Sequence, residues 1–114
     1  MTGSRLNTSV EAASLIRRAE AAGDFGAVLH KGDAERGALL IVVRSKGRYV
    51  ACLERALAPD GAYRWAKSGP EAADSPEKLA EFLNSRIRFD PDSWLIELDV
   101  AQPERFIAET TFAT

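Results

Sequence analysis

The chain carries one cysteine, Cys52, and one histidine, His30. A lone thiol excludes an intramolecular disulfide and any zinc site assembled from several cysteines. No segment approaches the ~20 consecutive apolar residues of a membrane helix. The opening MTGSRLNTS has no apolar stretch of the kind a signal peptide needs. The longest apolar run, Ala38 to Val43, is only strand-sized. Repeats and low-complexity tracts are also absent. A soluble, cytoplasmic protein without membrane contact is therefore expected.

What is present is ordinary for a folded domain. Its 114 residues, 46% hydrophobic and 28% charged, suit a single domain over residues 1–114 with one core. The net charge of −2 hides an asymmetry. Residues 1–67 carry 11 Lys/Arg against 7 Asp/Glu, whereas residues 68–114 carry 4 against 10. The two halves are expected to attract each other within the fold, and a basic face toward an acidic partner is the alternative.

Thr8-Ser9-Val10-Glu11 has the form of a capping box, with Thr8 at the cap and Glu11 reaching back. Ala12, Leu15, Ile16, Ala19 and Ala22 then repeat at helical spacing until Gly23. The period next shortens to that of strands. Residues 25–30 alternate, 38–44 are apolar on both faces, 48–55 alternate, and 62–66 make a short fourth strand. Gly47 marks a primed hairpin turn and Pro59-Asp60-Gly61 a second turn. Residues 31–37 read as a hairpin loop whose glycines, Gly32 and Gly37, supply positive φ. The segment 68–75 is expected to be a flexible loop, and 1–8 and 108–114 flexible ends. Ser75-Pro76-Glu77 opens a second helix that runs through about Arg88. The residues from Ala101 to Ile107 read as one helical turn that docks Phe106 and Ile107.

The expected fold is α+β, in the order αββββαβ. A meander of four antiparallel strands and a C-terminal strand at 93–99 make an antiparallel sheet of about five strands, packed with two helices. The first helix has a narrow apolar stripe, too small to cover a central strand that is apolar on both sides. The second helix or another subunit must cover the rest, so a homodimer is an expectation to be tested.

RFDPDSWLIELD, residues 88–99, places four carboxylates within ten residues. Asp90-Pro91-Asp92-Ser93 fits a type I turn, and Trp94, Ile96 and Leu98 then alternate as a strand. As a functional candidate, Asp90, Asp92 and Glu97 could ligate a hard divalent cation, provided the turn folds back toward Glu97. Glu97 lies on the strand face opposite Trp94 and Ile96, so spacing alone does not bring the three together. His30 could pair with Asp33 as a general base or orient Cys52, though Cys52 sits mid-strand as a small hydrophobe. The loop 32–37 lacks the ending and the following helix of a phosphate loop. Arg44, Lys46 and Arg48 cluster at one hairpin tip, with Tyr49, Tyr63 and Trp65 in nearby sequence, as single-stranded nucleic-acid binding would use. Basic residues at strand edges also guard against edge pairing, and the overall charge is negative, so nucleic acid is the weaker reading.

These motifs carry a resemblance. VEAASLIRRAEAAGDFGAVLHKGDAERGALLIVV (10–43) together with RFDPDSWLIELD resembles a family of small bacterial proteins classed as domain of unknown function fourteen ninety-one. The shared elements are Arg17, Arg18 and Gly23; Gly32, Asp33 and Gly37; and Asp90, Pro91, Asp92, Trp94 and Glu97. Asp60-Gly61 with Trp65 resembles the family's middle turn and strand. The resemblance covers most of residues 10–99 and implies a small α+β domain. It brings no activity, substrate, cofactor or catalytic residue to these positions. The element order also resembles the core of restriction-endonuclease-like nucleases, but Leu53-Glu54-Arg55-Ala56 offers no lysine where that chemistry needs one.

The leading functional expectation is a non-enzymatic binding or interaction module without a cofactor. A metal-dependent hydrolase or nuclease using Asp90, Asp92 and Glu97 is one alternative. Nucleic-acid binding through residues 44–48 is the other.

Overall fold

A computed structural model describes residues 7–112. The elements are α1 (Thr8–Ala21), β1 (Phe25–His30), β2 (Leu39–Ser45), β3 (Arg48–Leu57), β4 (Tyr63–Ser68), α2 (Pro76–Phe89), β5 (Trp94–Asp99) and α3 (Pro103–Phe112). The five strands form one sheet in the order β1-β5-β2-β3-β4.

That order corrects the expected all-antiparallel meander. β1 and β2 do not form a hairpin, because β5 lies between them, antiparallel to β1 and parallel to β2. A parallel pair needs a long crossover, and the excursion through β3, β4 and α2 supplies it. With a strand on each side, Trp94, Leu95, Ile96 and Leu98 are all buried. The meander survives as β2-β3-β4.

Helices cover both faces. Ala12, Leu15, Ile16 and Ala19 of α1 and Phe106 and Ile107 of α3 pack with Ile41, Val43, Leu53, Trp65, Ile96 and Leu98. Leu79, Phe82 and Leu83 of α2 pack with Leu40, Val42 and Cys52 on the other. α3 is a third helix of ten residues, where the sequence reading gave one turn of a two-helix protein. Between them, α2 and α3 cover the apolar surface that motivated a second subunit, so that argument for a dimer no longer applies to the sheet faces.

The helix starts follow local chemistry, with one correction. Asn7, not Thr8, caps α1, its side-chain oxygen accepting from the Val10 N–H at 3.1 Å. Glu11 does not reach back to the cap but takes both terminal nitrogens of Arg55 on β3. Arg55 in turn lies over the Trp65 ring, 4.6 Å from its centroid. Gly23 ends α1 at φ +85°, as its position suggested. Ser75 precedes Pro76 at the start of α2, but its side chain makes no capping bond. The segment 68–75 is held by Tyr49, whose hydroxyl donates to the Pro70 carbonyl at 2.6 Å.

Candidate functional site

The two motifs that stand about sixty residues apart in sequence meet in space. Leaving β1, the chain passes through Lys31–Ala38 directly against the Asp90–Ser93 turn. The Asp33 N–H donates to the Asp92 carbonyl at 2.9 Å. The Trp94 indole N–H donates to the Asp33 carbonyl at 2.7 Å, and the Trp94 amide to the Ala38 carbonyl at 2.7 Å. His30 Nδ1 lies 2.9 Å from the Ser93 carbonyl oxygen, which only accepts, so this nitrogen carries the proton. The segment also carries the start of α1. Thr8 Oγ1 donates to the Gly37 carbonyl at 2.6 Å, and the Ser9 N–H to the Ala34 carbonyl at 2.9 Å.

Asp33 organises this clasp from both ends of the residue. Its carboxylate accepts from the Glu35 and Arg36 backbone N–H groups at 2.9 and 2.7 Å, which fixes the loop as an Asx turn. These two backbone bonds, that from Arg36 first, hold the Asp33 carboxyl below the usual carboxylate range.

The glycines are explained by proximity and not by the positive φ expected of them. Neither Gly32 nor Gly37 has a positive φ. A Cβ on Gly32 would stand 1.9 Å from the Asp92 carbonyl oxygen, and one on Gly37 2.0 Å from that same atom. Only glycine allows two backbones to approach this closely.

The acids of the later motif are dispersed. The Asp90 carbonyl accepts from the Ser93 N–H at 3.0 Å, closing the expected turn, and the Asp92 carboxylate is exposed. Glu97 points to the face of α2, where it accepts from Arg44 Nε at 2.7 Å. Among the described residues, no group of three or more His, Cys, Asp or Glu side chains is placed to hold a metal ion. Asp99 accepts the Lys46 and Gly47 backbone N–H groups at 2.9 and 2.8 Å. Those two residues have φ 52° and 79°, the primed turn read from the sequence. Arg44 of the basic cluster is therefore paired, while Lys46 and Arg48 are exposed.

The lone thiol and histidine are not brought together as a catalytic pair. Cys52 is fully buried, with the Tyr49 hydroxyl 3.5 Å from its sulfur, and burial raises its pKa. A buried, protonated thiol is a poor nucleophile. Tyr49 is likewise pushed upward by burial.

A cleft of about 680 Å³ opens at the end of the sheet beside the clasp, lined in part by Glu11, Glu35, Arg36, Glu54, Arg55 and Tyr63. Three of its charged lining residues, Glu11, Arg55 and Glu54, are paired within the protein. Glu11 holds Arg55, and Glu54 takes Arg86 in a two-bond fork at 2.7 and 2.9 Å. The Arg86 guanidinium holds the Glu54 carboxyl below its ordinary value, and Glu54 raises Arg86 in return.

Comparison with known proteins places this architecture. The family model described as "Protein of unknown function (DUF1491)" matches residues 6–108. The chain belongs to this family. It is similar to a DUF1491 family protein from Caulobacter crescentus CB15 seen in a crystal structure, at 30% identity and TM-score 0.77, over 90% of this chain and 94% of that one. An NMR structure of a DUF1491 family protein from the same organism matches at 31% identity and TM-score 0.74, over 92% and 94%. A solution structure of a protein from A. tumefaciens matches at 29% identity and TM-score 0.70, over 87% and 89%. No curated protein matches the chain.

The family resemblance is borne out, and in the structure the glycine-aspartate segment and the DPD-x-W turn are two halves of one clasp. Sequence reasoning did not find the outer edge of β1 as a surface. Its signal was an alternating strand with no charge between Phe25 and Leu29.

Proposed function

We propose that this chain is a non-enzymatic interaction module that docks an extended polypeptide segment along the open edge of its sheet at β1. The observation that carries this reading is the state of that edge. β1 is terminal in the sheet, and among the described residues no backbone hydrogen bond from another segment reaches Phe25–His30 outside the β5 ladder. Phe25, Val28 and Leu29 are 55%, 40% and 46% exposed. An uncovered, uncharged edge strand is a template for strand addition, in which main-chain bonds give affinity and alternate side chains give specificity.

The chemistry-bearing groups support the same reading, because their visible roles are structural. Asp33, Glu97 and Asp99 hold turns or strands, Glu11 and Glu54 hold arginines, and His30 holds a carbonyl.

A synthetic peptide spanning residues 23–31 is the probe. Added to isotope-labelled protein, it is expected to shift and protect β1 amides, with the response lost in Val28→Lys. Binding that leaves the β1 amides untouched, or no binding at millimolar peptide to protein dilute enough to be monomeric, contradicts the reading.

A further inference from the structure

We infer that the segment docked on this edge is β1 of a second copy, paired antiparallel about Ala27 so that two five-stranded sheets become one continuous sheet. This rests on the reading of β1 as a docking edge.

The two free edges of the sheet are built differently. β4 carries Arg64 and Lys67, charges of the kind that discourage a second strand from pairing. β1 has neither charge nor proline from Phe25 to Leu29. A bulge between Val28 and His30 limits the length of the new ladder without blocking its start.

The flanks of β1 have opposite charge, and this selects the orientation. Asp24 precedes the strand, with one carboxylate oxygen accepting the Ala101 N–H at 3.1 Å, and Lys31 follows it. Antiparallel pairing about Ala27 brings the Asp24 end of one copy to the His30–Lys31 end of the other, beyond the Leu29 bulge. The two-fold axis makes this contact twice. Parallel addition would set Asp24 beside Asp24 and Lys31 beside Lys31. Among the described residues Lys31 forms no salt bridge, so it is free for this contact.

The apolar residues match in the same register. In the regular stretch before the bulge, Val28 meets Gly26 of the second copy, which has no side chain to obstruct it. Gly26 itself is fixed by its own fold, since a Cβ there would stand 2.9 Å from Leu98 and 3.1 Å from Ile16. Because the same edge serves both copies, the assembly closes at two and leaves only the charged β4 edges outside.

Sedimentation of the full chain across a concentration series, up to high micromolar, tests this. The expected result is a dimer that Val28→Lys converts to a folded monomer, whose thermal midpoint no longer rises with protein concentration as that of the wild type does. Lys31→Glu is expected to weaken the dimer roughly tenfold, and Asp24→Asn, which keeps an oxygen for the Ala101 N–H, to weaken it in the same direction. A monomer throughout the series, or a dimer indifferent to Val28→Lys and Lys31→Glu, overturns the inference. If the chain stays monomeric and the 23–31 peptide still protects β1, the docking edge stands and only self-pairing is lost. If neither binds, both fail.

Discussion

Gly32→Ala and Gly37→Ala are each expected to cost about 3 kcal/mol or more of folding stability, among the largest effects any alanine could have in this protein. Either new methyl would meet the Asp92 carbonyl oxygen at about half the normal contact distance, 1.9 Å for Gly32 and 2.0 Å for Gly37. A backbone atom cannot rotate away as a side chain can. Relief therefore requires the 31–38 segment and the 90–93 turn to separate. That separation breaks the Asp33-to-Asp92 and Trp94-to-Asp33 bonds together. Gly47 is the control, because its φ is +79° but nothing lies within 4 Å of the added atom. Gly47→Ala should cost only the ~1–2 kcal/mol of a left-handed alanine. Urea unfolding of the three variants measures this, and equal losses at all three sites would remove the clasp from the account.

Trp94→Ala is expected to cost about 3–5 kcal/mol, the usual range for emptying a buried indole site. Trp94 is 7% exposed and packs in the cluster between the sheet and α1. Trp94→Phe separates packing from hydrogen bonding. It keeps most of the apolar volume but removes the N–H that the Asp33 carbonyl accepts. The loss there should be about 1 kcal/mol, that of one hydrogen bond, because the Asp33 carbonyl also accepts the Gly37 N–H at 3.2 Å. Chemical denaturation of the pair checks both values. A Trp94→Phe loss as large as that of Trp94→Ala would mean the indole bond, and not the packed ring, dominates.

The strands and first two helices were legible because each has its own period. α1 reads at helical spacing and stops at Gly23, and α2 starts at Pro76 and ends before Pro91. The sheet order was not legible. Neighbouring strands in sequence usually pair, and nothing local in residues 25–45 says that β1 and β2 lie apart. The missed signal is in β5, where Trp94, Leu95 and Ile96 are apolar without alternation, the mark of a strand covered on both faces, as parallel-paired strands usually are. For α3, Phe106 and Ile107 mark a single turn in the sequence, and Ala108 to Thr111 add no large apolar residue that would extend it.

For the site, the motif positions could be read from the sequence but not their reasons. Gly32 and Gly37 resemble turn glycines until Asp92 is placed against them. Asp92 attracts attention as a carboxylate, whereas the atom that matters is its backbone carbonyl, which every residue has. Thr8 reads as a cap by its type, but Asn7 takes that place and leaves the Thr8 hydroxyl to hold Gly37. Such long-range assignments depend on topology, which no local pattern encodes.

The most direct test of the clasp is thermal unfolding of Asp90→Asn/Asp92→Asn beside wild type, with and without excess magnesium or manganese. The turn and the clasp use the backbone carbonyls of these residues, and asparagine keeps those. The account predicts a double variant within about 0.5 kcal/mol of wild type and midpoints that metal does not move. A metal-dependent rise in the wild-type midpoint that vanishes in the variant would contradict it, and would make the acidic turn a cation site.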